Sequence, residues 1–398
     1  MSTTASKRQI KTVGMKVKEA DKELYKIDKK IDKLVRKIEL LRYINPINLE
    51  EQKRLFFESK FQRDPEFKYP EADFDKFKIH RKFFGQRLEE ISDERIRSLY
   101  EDIVYYYSGV VRCIETIGEG KNFYYNSLHV FGTPTEQDVE NAKFILHFEE
   151  EDSHSEKFIP KYDTAAARDV FATFGKNYDF DFNIEDSETM SAIAMVLNSK
   201  QSLVLNSNHK YSENELAILT NHEIGVHMVT TMNGVSHDLK IFSHGFPNNV
   251  ETQEGLAVFS EYMSGNLTVR RLKELAYRVI AVDSLAKGYT FSRTFRLLTN
   301  VYDLDKERAF YITARVHRGG GFTKDYLYLT GLVKIVDMYR KKDDFSPLLS
   351  GKVTLEYLDH IQYLMELGYA KPSIHITDSF AANKNTNPTI DFILNNLK

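Results

Sequence analysis

The heptapeptide Asn221-His222-Glu223-Ile224-Gly225-Val226-His227 decides how this chain of 398 residues is interpreted. Two histidines flank a glutamate, and a second glutamate follows in Gln253-Glu254-Gly255-Leu256-Ala257. Two neutral imidazoles and one carboxylate are a common ligand set for catalytic zinc, which keeps a fourth position open for water. The other glutamate can take a proton from that water. The pattern predicts a zinc peptidase that binds one Zn²⁺ through His222, His227 and Glu254, with Glu223 as the general base.

The spacing of the two histidines sets a condition on the helix that carries them. In the motif H-E-x-x-H the ligands lie four residues apart, about 40° around the helix axis. Here the step from His222 to His227 is five residues, which on a regular α-helix separates the imidazoles by about 140°. They converge if the helix absorbs one extra residue, as a π-bulge does. We therefore predict a π-bulge here, with Gly225 easing the distortion.

The flanking residues favour two helices around the motif. Ser212 followed by Glu215 has the spacing of a capping box, and apolar residues continue from there to the histidines. A second helix is predicted from about Thr252. Glu254 then falls in its first turn, where a carboxylate interacts favourably with the helix dipole.

Other side chains compete with Glu254 for the third ligand position. His244, in the loop between the two predicted helices, is the main alternative, and Glu251 and Glu261 are weaker ones. Glu261 lies seven residues after Glu254 and therefore on the same helical face. It can form a hydrogen bond to a metal-binding side chain and so orient it, instead of binding the metal itself.

A basic, glycine-rich stretch near the C-terminus contains the candidate substrate contacts. A carboxypeptidase needs a fixed cation for the terminal carboxylate of its substrate, and an arginine can supply two parallel hydrogen bonds. A tyrosine or histidine can donate to the oxyanion that forms when water adds to the carbonyl. The alternative is a polar loop whose arginines pair with acidic groups of the protein. The candidate residues are Arg315, His317, Arg318, Lys324 and Tyr328.

Composition is typical of a globular cytoplasmic protein. Hydrophobic residues make up 42% of the chain and charged residues 28%. The single cysteine, Cys113, excludes an internal disulfide framework, and its apolar neighbours predict a buried, inert thiol. No stretch reaches the length of about 18 apolar residues that a membrane span needs, and the N-terminus lacks the apolar segment of a signal peptide. We therefore expect a cytoplasmic location.

The N-terminal region predicts a basic amphipathic helix over residues 15–42. Apolar residues from Val17 to Leu41 recur at alternating steps of three and four, and residues 1–42 carry 13 lysines and arginines against 6 acidic residues. Packing of this helix across the catalytic body is favoured over a coiled coil. The helix can also dock an acidic partner, whereas nucleic-acid binding is not predicted.

Helical patterns dominate the chain, with a few short strands, so the predicted fold class is α+β and predominantly helical. Strands are predicted at residues 178–184 and 202–205 and, less clearly, at 126–131, whereas 190–196 is ambiguous. The acidic connection at 149–155, which includes His154, is the best internal boundary. It separates an N-terminal helical region (1–150) from a catalytic region (151–398), and the two are expected to pack intimately, possibly as one domain.

The two motifs together resemble those of the bacterial flavohemoglobin expression-modulating QEGLA-motif proteins, a family that includes the eukaryotic microtubule-associated tyrosine carboxypeptidases. The resemblance covers the chain from about residue 20 to the end. Four further stretches contribute to it: Phe67-Lys68-Tyr69-Pro70, Gly132-Thr133-Pro134, residues 211–234 and residues 315–331. It implies a zincin-like core, zinc ligands at His222, His227 and Glu254, a catalytic base at Glu223, and removal of a C-terminal residue.

Three functions remain open at the level of sequence. The first is a carboxypeptidase that acts on a peptide or protein C-terminus and releases one residue, tyrosine or another aromatic residue among the candidates. The second is an aminopeptidase or dipeptidyl peptidase, which would need an acidic anchor for the amino group of its substrate. The third is a regulatory protein that keeps the metal helix without hydrolysis. The intact Glu223 argues against this third function, because a binding module does not need a base beside its ligands.

Overall fold

A computed structural model describes residues 22–151, 155–188, 190 and 192–398. Residues 15–21 of the predicted N-terminal helix and His154 of the acidic connection lie outside the described residues. The structure is 64% helical and contains a three-stranded sheet. This confirms the prediction of a predominantly helical α+β fold.

The α-helices are numbered here in chain order. They are α1 Lys22–Val35, α2 Leu40–Ile44, α3 Leu49–Glu58, α4 Lys76–Phe84, α5 Glu94–Glu115, α6 Lys121–Phe131, α7 Glu136–Leu146, α8 Thr164–Lys176, α9 Glu213–Leu219 (continued by a π-helix, Thr220–Met228, and an α-helical turn, Val229–Val235), α10 Ile241–His244, α11 Asn249–Met263, α12 Val269–Ala286, α13 Phe291–Arg296 (followed by a π-helical turn, Leu297–Val301), α14 Lys306–His317, α15 Leu327–Lys341, α16 Leu358–Glu366 and α17 Pro388–Asn396. Short 3₁₀ helices occupy Leu88–Glu90, Glu156–Phe158, Asn198–Lys200, Arg318–Gly320, Thr323–Tyr326, Ser346–Leu349, Leu355–Tyr357 and Asp378–Phe380.

The small sheet precedes α9 in the chain. It consists of β1 (Asn183–Ser187), β2 (Ala194–Leu197) and β3 (Ser202–Asn206) in the order β1-β3-β2. β3 pairs in parallel with β1 and antiparallel with β2, so β2 lies at an edge. The strand predicted at 202–205 is confirmed, the one predicted at 178–184 overlaps β1 only at its end, and the ambiguous run contains β2. The strand predicted at 126–131 is wrong, because these residues belong to α6.

The predicted π-bulge is confirmed, and it is longer than a single turn. The π-helix of α9 contains the whole heptapeptide, and it follows an N-terminus at which Ser212 and Glu215 form the predicted capping box. α11 begins at Asn249, three residues earlier than predicted. Glu254 therefore lies in the second turn of α11, not in the first.

The N-terminal helix packs on the body of the protein, as predicted, although it is not continuous to residue 42. Leu24, Ile27, Ile31 and Leu34 of α1 are buried in the main hydrophobic core. α1 ends at Val35, and after a short turn the chain continues in α2. The apolar periodicity does not reveal this break, because the residues on both sides of it face the same core.

The main core joins buried residues from Leu24 to Leu397, and a smaller core lies under the sheet and α9. Residues on both sides of the acidic connection contribute to the main core, so they pack together, whereas the division into regions 1–150 and 151–398 remains a prediction. Cys113 is fully buried in this core, and burial raises the pKa of its thiol to about 12. No helix among the described residues has the length and apolar character needed to cross a bilayer.

Candidate active site

Three of the predicted residues meet between α9 and α11. One ligand atom each from His222, His227 and Glu254 lies within 4.8 Å of the others, and these residues form the group of potential metal ligands found among the described residues. Glu254 Oε2 is 3.6 Å from His222 Nε2 and 3.5 Å from His227 Nε2. The extra residue in the π-helix therefore brings both imidazoles to one side of α9, as convergence on a common ion requires.

The donor atoms fit a tetrahedral metal ion. Bonds of about 2.0–2.1 Å to zinc place neighbouring ligand atoms about 3.3 Å apart, close to the separations of Glu254 Oε2 from the two Nε2 atoms. That oxygen is buried and has no hydrogen-bond partner among the described residues. A buried carboxylate oxygen normally accepts a hydrogen bond. This unpaired Oε2 atom is therefore the observation that best indicates a cation between the three side chains.

His222 is oriented by a carboxylate behind it. Its Nδ1 lies 2.8 Å from Oε1 of Glu261, which is fully buried in α11. Arg271 of α12 holds the same carboxylate with two hydrogen bonds of 3.2 Å. A neutral His222 that donates from Nδ1 to Glu261 keeps the Nε2 lone pair free for a metal, the arrangement that commonly orients metal-binding histidines. Glu261 therefore lies where it could orient His222, and this role remains a prediction.

Glu254 is held by a lysine from the glycine-rich stretch. Lys324 Nζ donates to Glu254 Oε1 at 2.8 Å and lies 3.4 Å from the hydroxyl of Tyr328, which it also approaches over the ring. Burial raises the pKa of Glu254, but Lys324 and the two imidazoles outweigh it, so the pKa lies well below its usual range. Glu254 is therefore ionised, with one oxygen fixed by Lys324 and the other directed at the imidazoles.

The protonation of the two imidazoles differs because their surroundings differ. Burial lowers the pKa of His222, but Glu254 and Glu261 overcome this and raise it to about 9. Burial lowers the pKa of His227 to about 4, although Glu254 opposes the shift. The two carboxylates therefore favour a positive charge beside His222, which either a proton or a metal cation can supply.

Glu223 is buried beside the triad, with 8% of its surface exposed. Burial raises the pKa of its carboxyl group to about 7, His222 and Lys352 lower it, and Glu254 raises it. The backbone amide of Val196 in the edge strand β2 faces this carboxylate and also lowers the pKa. Burial thus brings the pKa of this carboxyl group into the range that suits proton transfer near neutral pH.

Lys352 is a site residue that the sequence analysis missed. Its ammonium group donates to the carbonyl oxygen of His227 at 2.8 Å and to Thr230 Oγ1 at 3.0 Å. Burial lowers its pKa to about 7, although Glu223 and Glu254 counteract the shift. Gly351-Lys352-Val353 has no motif that marks it, and neither has Arg271. Both can be found only from the packing of distant segments.

The other predicted substrate contacts have partners within the protein. Arg315 forms two hydrogen bonds, of 2.6 Å and 3.1 Å, with the buried Asp325, and it lies near Tyr328. The guanidinium group of Arg318 donates to Asn45 and stacks over Phe322. His317 Nε2 lies 2.8 Å from the hydroxyl of Thr294. Of the five residues, the structure brings Lys324 and Tyr328 to the metal ligands.

The competing ligand candidates lie elsewhere. His244 of α10 forms an ion pair with Asp32 of α1, and Glu251 pairs with Lys334 at 2.6 Å. Neither belongs to the group of potential metal ligands. The geometry therefore favours Glu254 as the third ligand.

A cavity of about 280 Å³, called the cleft below, is lined by two residues that contact the site. It reaches Val196, whose amide faces Glu223, and Lys324, which binds Glu254. Its lining is largely apolar and comes from four parts of the chain: residues 35–42 except Lys37; Tyr106, Tyr107, Val110 and Phe131; residues 195–199; and His244, Asn249, Val250, Phe322 and Lys324.

Stretches that carry the family resemblance meet around this site. The hydroxyl of Tyr69 accepts a hydrogen bond of 2.7 Å from the amide of Gly319, and the hydroxyl of Tyr326 donates to the carbonyl of Phe131, beside Gly132, at 2.8 Å. Gly320 packs its Cα against the backbone of Gly120 with φ of +118°, a conformation and a close approach that only glycine allows. These contacts support the loop that carries Lys324.

A buried group of two imidazoles and a carboxylate, with a second carboxylate beside it, is the class of site found in metal-dependent hydrolases. The sequence model of the family described as microtubule-associated tyrosine carboxypeptidase matches residues 54–398. The protein belongs to this family, as the resemblance predicted. Membership supports an enzyme of the carboxypeptidase class that acts on a peptide or protein. None of the curated proteins compared with the chain matches it.

Proposed function

We propose that the protein is a zinc-dependent carboxypeptidase that releases one residue, tyrosine or another aromatic residue, from the C-terminus of a peptide or protein. His222, His227 and Glu254 hold one Zn²⁺. The observation that carries the proposal is the orphan Oε2 of Glu254, which faces both imidazoles while Glu223 lies buried beside them. Family membership supports the reaction class, and the ligand geometry supports the metal.

In the proposed reaction, a Zn²⁺ held by His222, His227 and Glu254 would supply Lewis-acid chemistry, which polarises a scissile carbonyl and lowers the pKa of an attacking water. Glu223 accepts the proton of this water and passes it to the departing amine. Its buried position keeps the carboxylate desolvated, and the amide of Val196 helps to hold it in place. Glu254 remains ionised throughout because Lys324 neutralises it from the opposite side.

Lys324 is the proposed cation for the terminal carboxylate of the substrate. An ammonium group has three N–H donors. In Lys324 one of them donates to Glu254 and a second faces the hydroxyl of Tyr328. The third is proposed to bind a carboxylate in the cleft. Tyr328, at the same end of the site, is the proposed donor to the developing oxyanion. Arg315, Arg318 and His317 remain predicted substrate contacts, and both arginines interact electrostatically with Tyr328.

The substrate backbone is proposed to pair with β2. This strand lies at the edge of the sheet, next to Glu223, and can accept an extended peptide as an additional strand. An edge strand beside a helix with two histidine ligands supports a zincin-like core for region 151–398. The cytoplasmic location and an acidic partner for the basic N-terminal segment belong to the same proposal, and they rest on composition alone.

The best first experiment is mass spectrometry of a mixed peptide library incubated with the zinc-loaded protein. Loss of single C-terminal residues is expected, because Lys324 offers the substrate a positive charge next to the metal ligands. An aminopeptidase would instead spare N-terminally blocked peptides, and it would need an acidic anchor in this position.

Glu223→Gln is the matched control. The variant keeps the size of the side chain and leaves the three ligands in place, so it should bind zinc with unchanged stoichiometry and lose activity by several orders of magnitude. Normal turnover by this variant would refute the role of Glu223. If wild type binds zinc and leaves all peptides and candidate protein C-termini intact, the non-hydrolytic regulatory alternative is favoured.

A further inference from the structure

One wall of the cleft comes from a part of the chain that precedes the region matched by the family. The match begins at residue 54, whereas residues 35–42, with the exception of Lys37, line the cleft. They run from the end of α1 into α2 and line the same cavity as the edge strand β2. The elements that carry the candidate metal ligands and Glu223 lie within the matched residues, whereas this wall precedes them.

The wall is fixed to the body at several points. Asp28 of α1 accepts hydrogen bonds from the backbone amides of Lys240 and Ile241 at 2.7 Å and 3.2 Å. Asp32 pairs with His244, which itself lines the cleft. Ser199, which also lines the cleft, donates to Glu39 at 3.4 Å. Because α1 and the segment after β2 both contact the wall, it forms a fixed boundary for any side chain that enters.

The chemistry of the cleft suits one large apolar side chain. Leu41 is a half-buried residue of the wall, and Met195 lies in the edge strand that also lines the cavity. The volume of about 280 Å³ is at the lower end of ligand pockets, which span about 300–1,000 Å³. Lys324 is the buried charge in the lining. An apolar side chain with a carboxylate at its base matches the C-terminal residue of a peptide.

We propose that residues 35–42 form the wall that sets the size of the C-terminal side chain accepted by the enzyme, with Leu41 as its central specificity-determining residue. This inference rests on the proposed carboxypeptidase function, and it assigns to the N-terminal segment a role in substrate selection instead of a purely structural one. The wall limits the volume of the cleft, whereas the candidate metal ligands and Glu223 do not belong to its lining.

The test compares peptides that differ only in their last residue: Ala, Leu, Phe or Tyr. Leu41→Trp fills the cleft and should lower kcat/KM for the Leu, Phe and Tyr peptides by about tenfold or more, while the Ala peptide changes by less than about threefold. Leu41→Ala should shift the preference towards the larger residues. Lys37→Ala, an exposed neighbour outside the lining, should retain the wild-type pattern. Circular dichroism verifies that each variant is folded.

Binding measurements separate this inference from the proposed function. In a zinc-loaded Glu223→Gln background, the affinity of the same four peptides is measured by fluorescence anisotropy, with and without Leu41→Trp. One outcome is that the wild type cleaves none of the peptides, whereas Leu41→Trp still selectively weakens the binding of the Leu, Phe and Tyr peptides. This outcome refutes the proposed reaction and supports the role of the wall. If both Leu41 variants are folded and change kcat/KM equally for all four peptides, or for none of them, the role of the wall is refuted.

Discussion

The orientation of His222 depends on a chain of polar contacts that continues beyond the metal ligands. Glu261 accepts from His222, and Arg271 holds Glu261 in a fixed position. Burial raises the pKa of Glu261, but Arg271 and His222 outweigh it, so the pKa lies below its usual range and the carboxylate stays ionised. An ionised partner strengthens the hydrogen bond from the imidazole and makes its other nitrogen a better metal ligand.

We therefore predict that Glu261→Gln weakens metal binding. The amide still accepts a hydrogen bond from His222 but carries no charge, so zinc affinity should fall by about 10-fold to 100-fold. Competition with a chromophoric chelator measures this change independently of peptidase activity. Glu251→Gln is the matched control, because Glu251 lies on the same helix and pairs with Lys334 instead of a histidine. Equal affinities of wild type and Glu261→Gln would exclude the orienting role.

The candidate metal ligands could be proposed from the sequence because the spacing within each helix is local. His222 and His227 lie in one helix, and Glu254 and Glu261 are separated by a helical repeat of seven residues. Lys352 lies 125 residues after His227, to whose carbonyl it donates. A pairing of this kind arises from the packing of distant segments, and a single sequence has no pattern that indicates it.

At the level of elements, α15 packs closely against α11, the helix that carries Glu254. Gly255 follows Glu254 directly, and a Cβ atom at this position would lie 2.4 Å from the backbone of Gly331 in α15. A Cβ at Gly331 would lie 2.1 Å from the carbonyl oxygen of Glu251. The two glycines thus allow a backbone contact that positions the turn bearing Glu254.

Gly331→Ala should consequently destabilise the protein and disturb the metal site together. Overpacking of this kind costs about 1–3 kcal/mol, and the displaced turn of α11 should also weaken zinc binding. Urea unfolding with and without zinc measures both effects. Unchanged stability and zinc affinity in Gly331→Ala would contradict this close contact between α11 and α15.

Gly225→Ala is the matched control in α9. Its nearest neighbour would be Thr377 Oγ1 at 3.6 Å, an ordinary contact, and its φ is not in the left-handed region. Alanine should be tolerated here and raise stability by about 0.5–1 kcal/mol. The expectation that Gly225 eases the π-helix is therefore not supported by its surroundings. The π-helix itself was predictable, because only an extra residue per turn makes a step of five converge.

Short apolar runs were the least predictable elements. The pattern of residues 126–131 is equally compatible with a strand and with part of a helix, because periodicity over six residues does not distinguish the two. Their helical state in α6 follows from packing beside α5 and the Lys324 loop, where Ser127 Oγ lies 3.0 Å from the hydroxyl of Thr323. Longer elements with caps, such as the start of α9, were predicted correctly.

For the whole molecule, the buried carboxylate of Asp28 links the N-terminal segment to the rest of the fold. Tyr100 in α5 donates to it at 2.9 Å, and the amides of Lys240 and Ile241 donate from the start of α10. Burial nevertheless raises its pKa to about 6 from an ordinary value of 3.8, because these donors only partly offset the lost hydration and the nearby Asp32 adds to the rise. The ionised form is thus less favourable in the folded protein than in the unfolded chain.

This raised pKa predicts a specific dependence of stability on pH. The contribution of Asp28 is complete below about pH 4, where the carboxyl group is protonated in both states, and it is lost as the pH rises through about 6. The stability of wild type relative to Asp28→Asn should therefore fall by on the order of 3 kcal/mol between pH 4 and pH 7. Urea unfolding of both proteins across this range isolates the effect, since the other titrating groups are common to both. A difference that stays constant with pH would mean that Asp28 ionises as freely in the folded protein as in the unfolded chain.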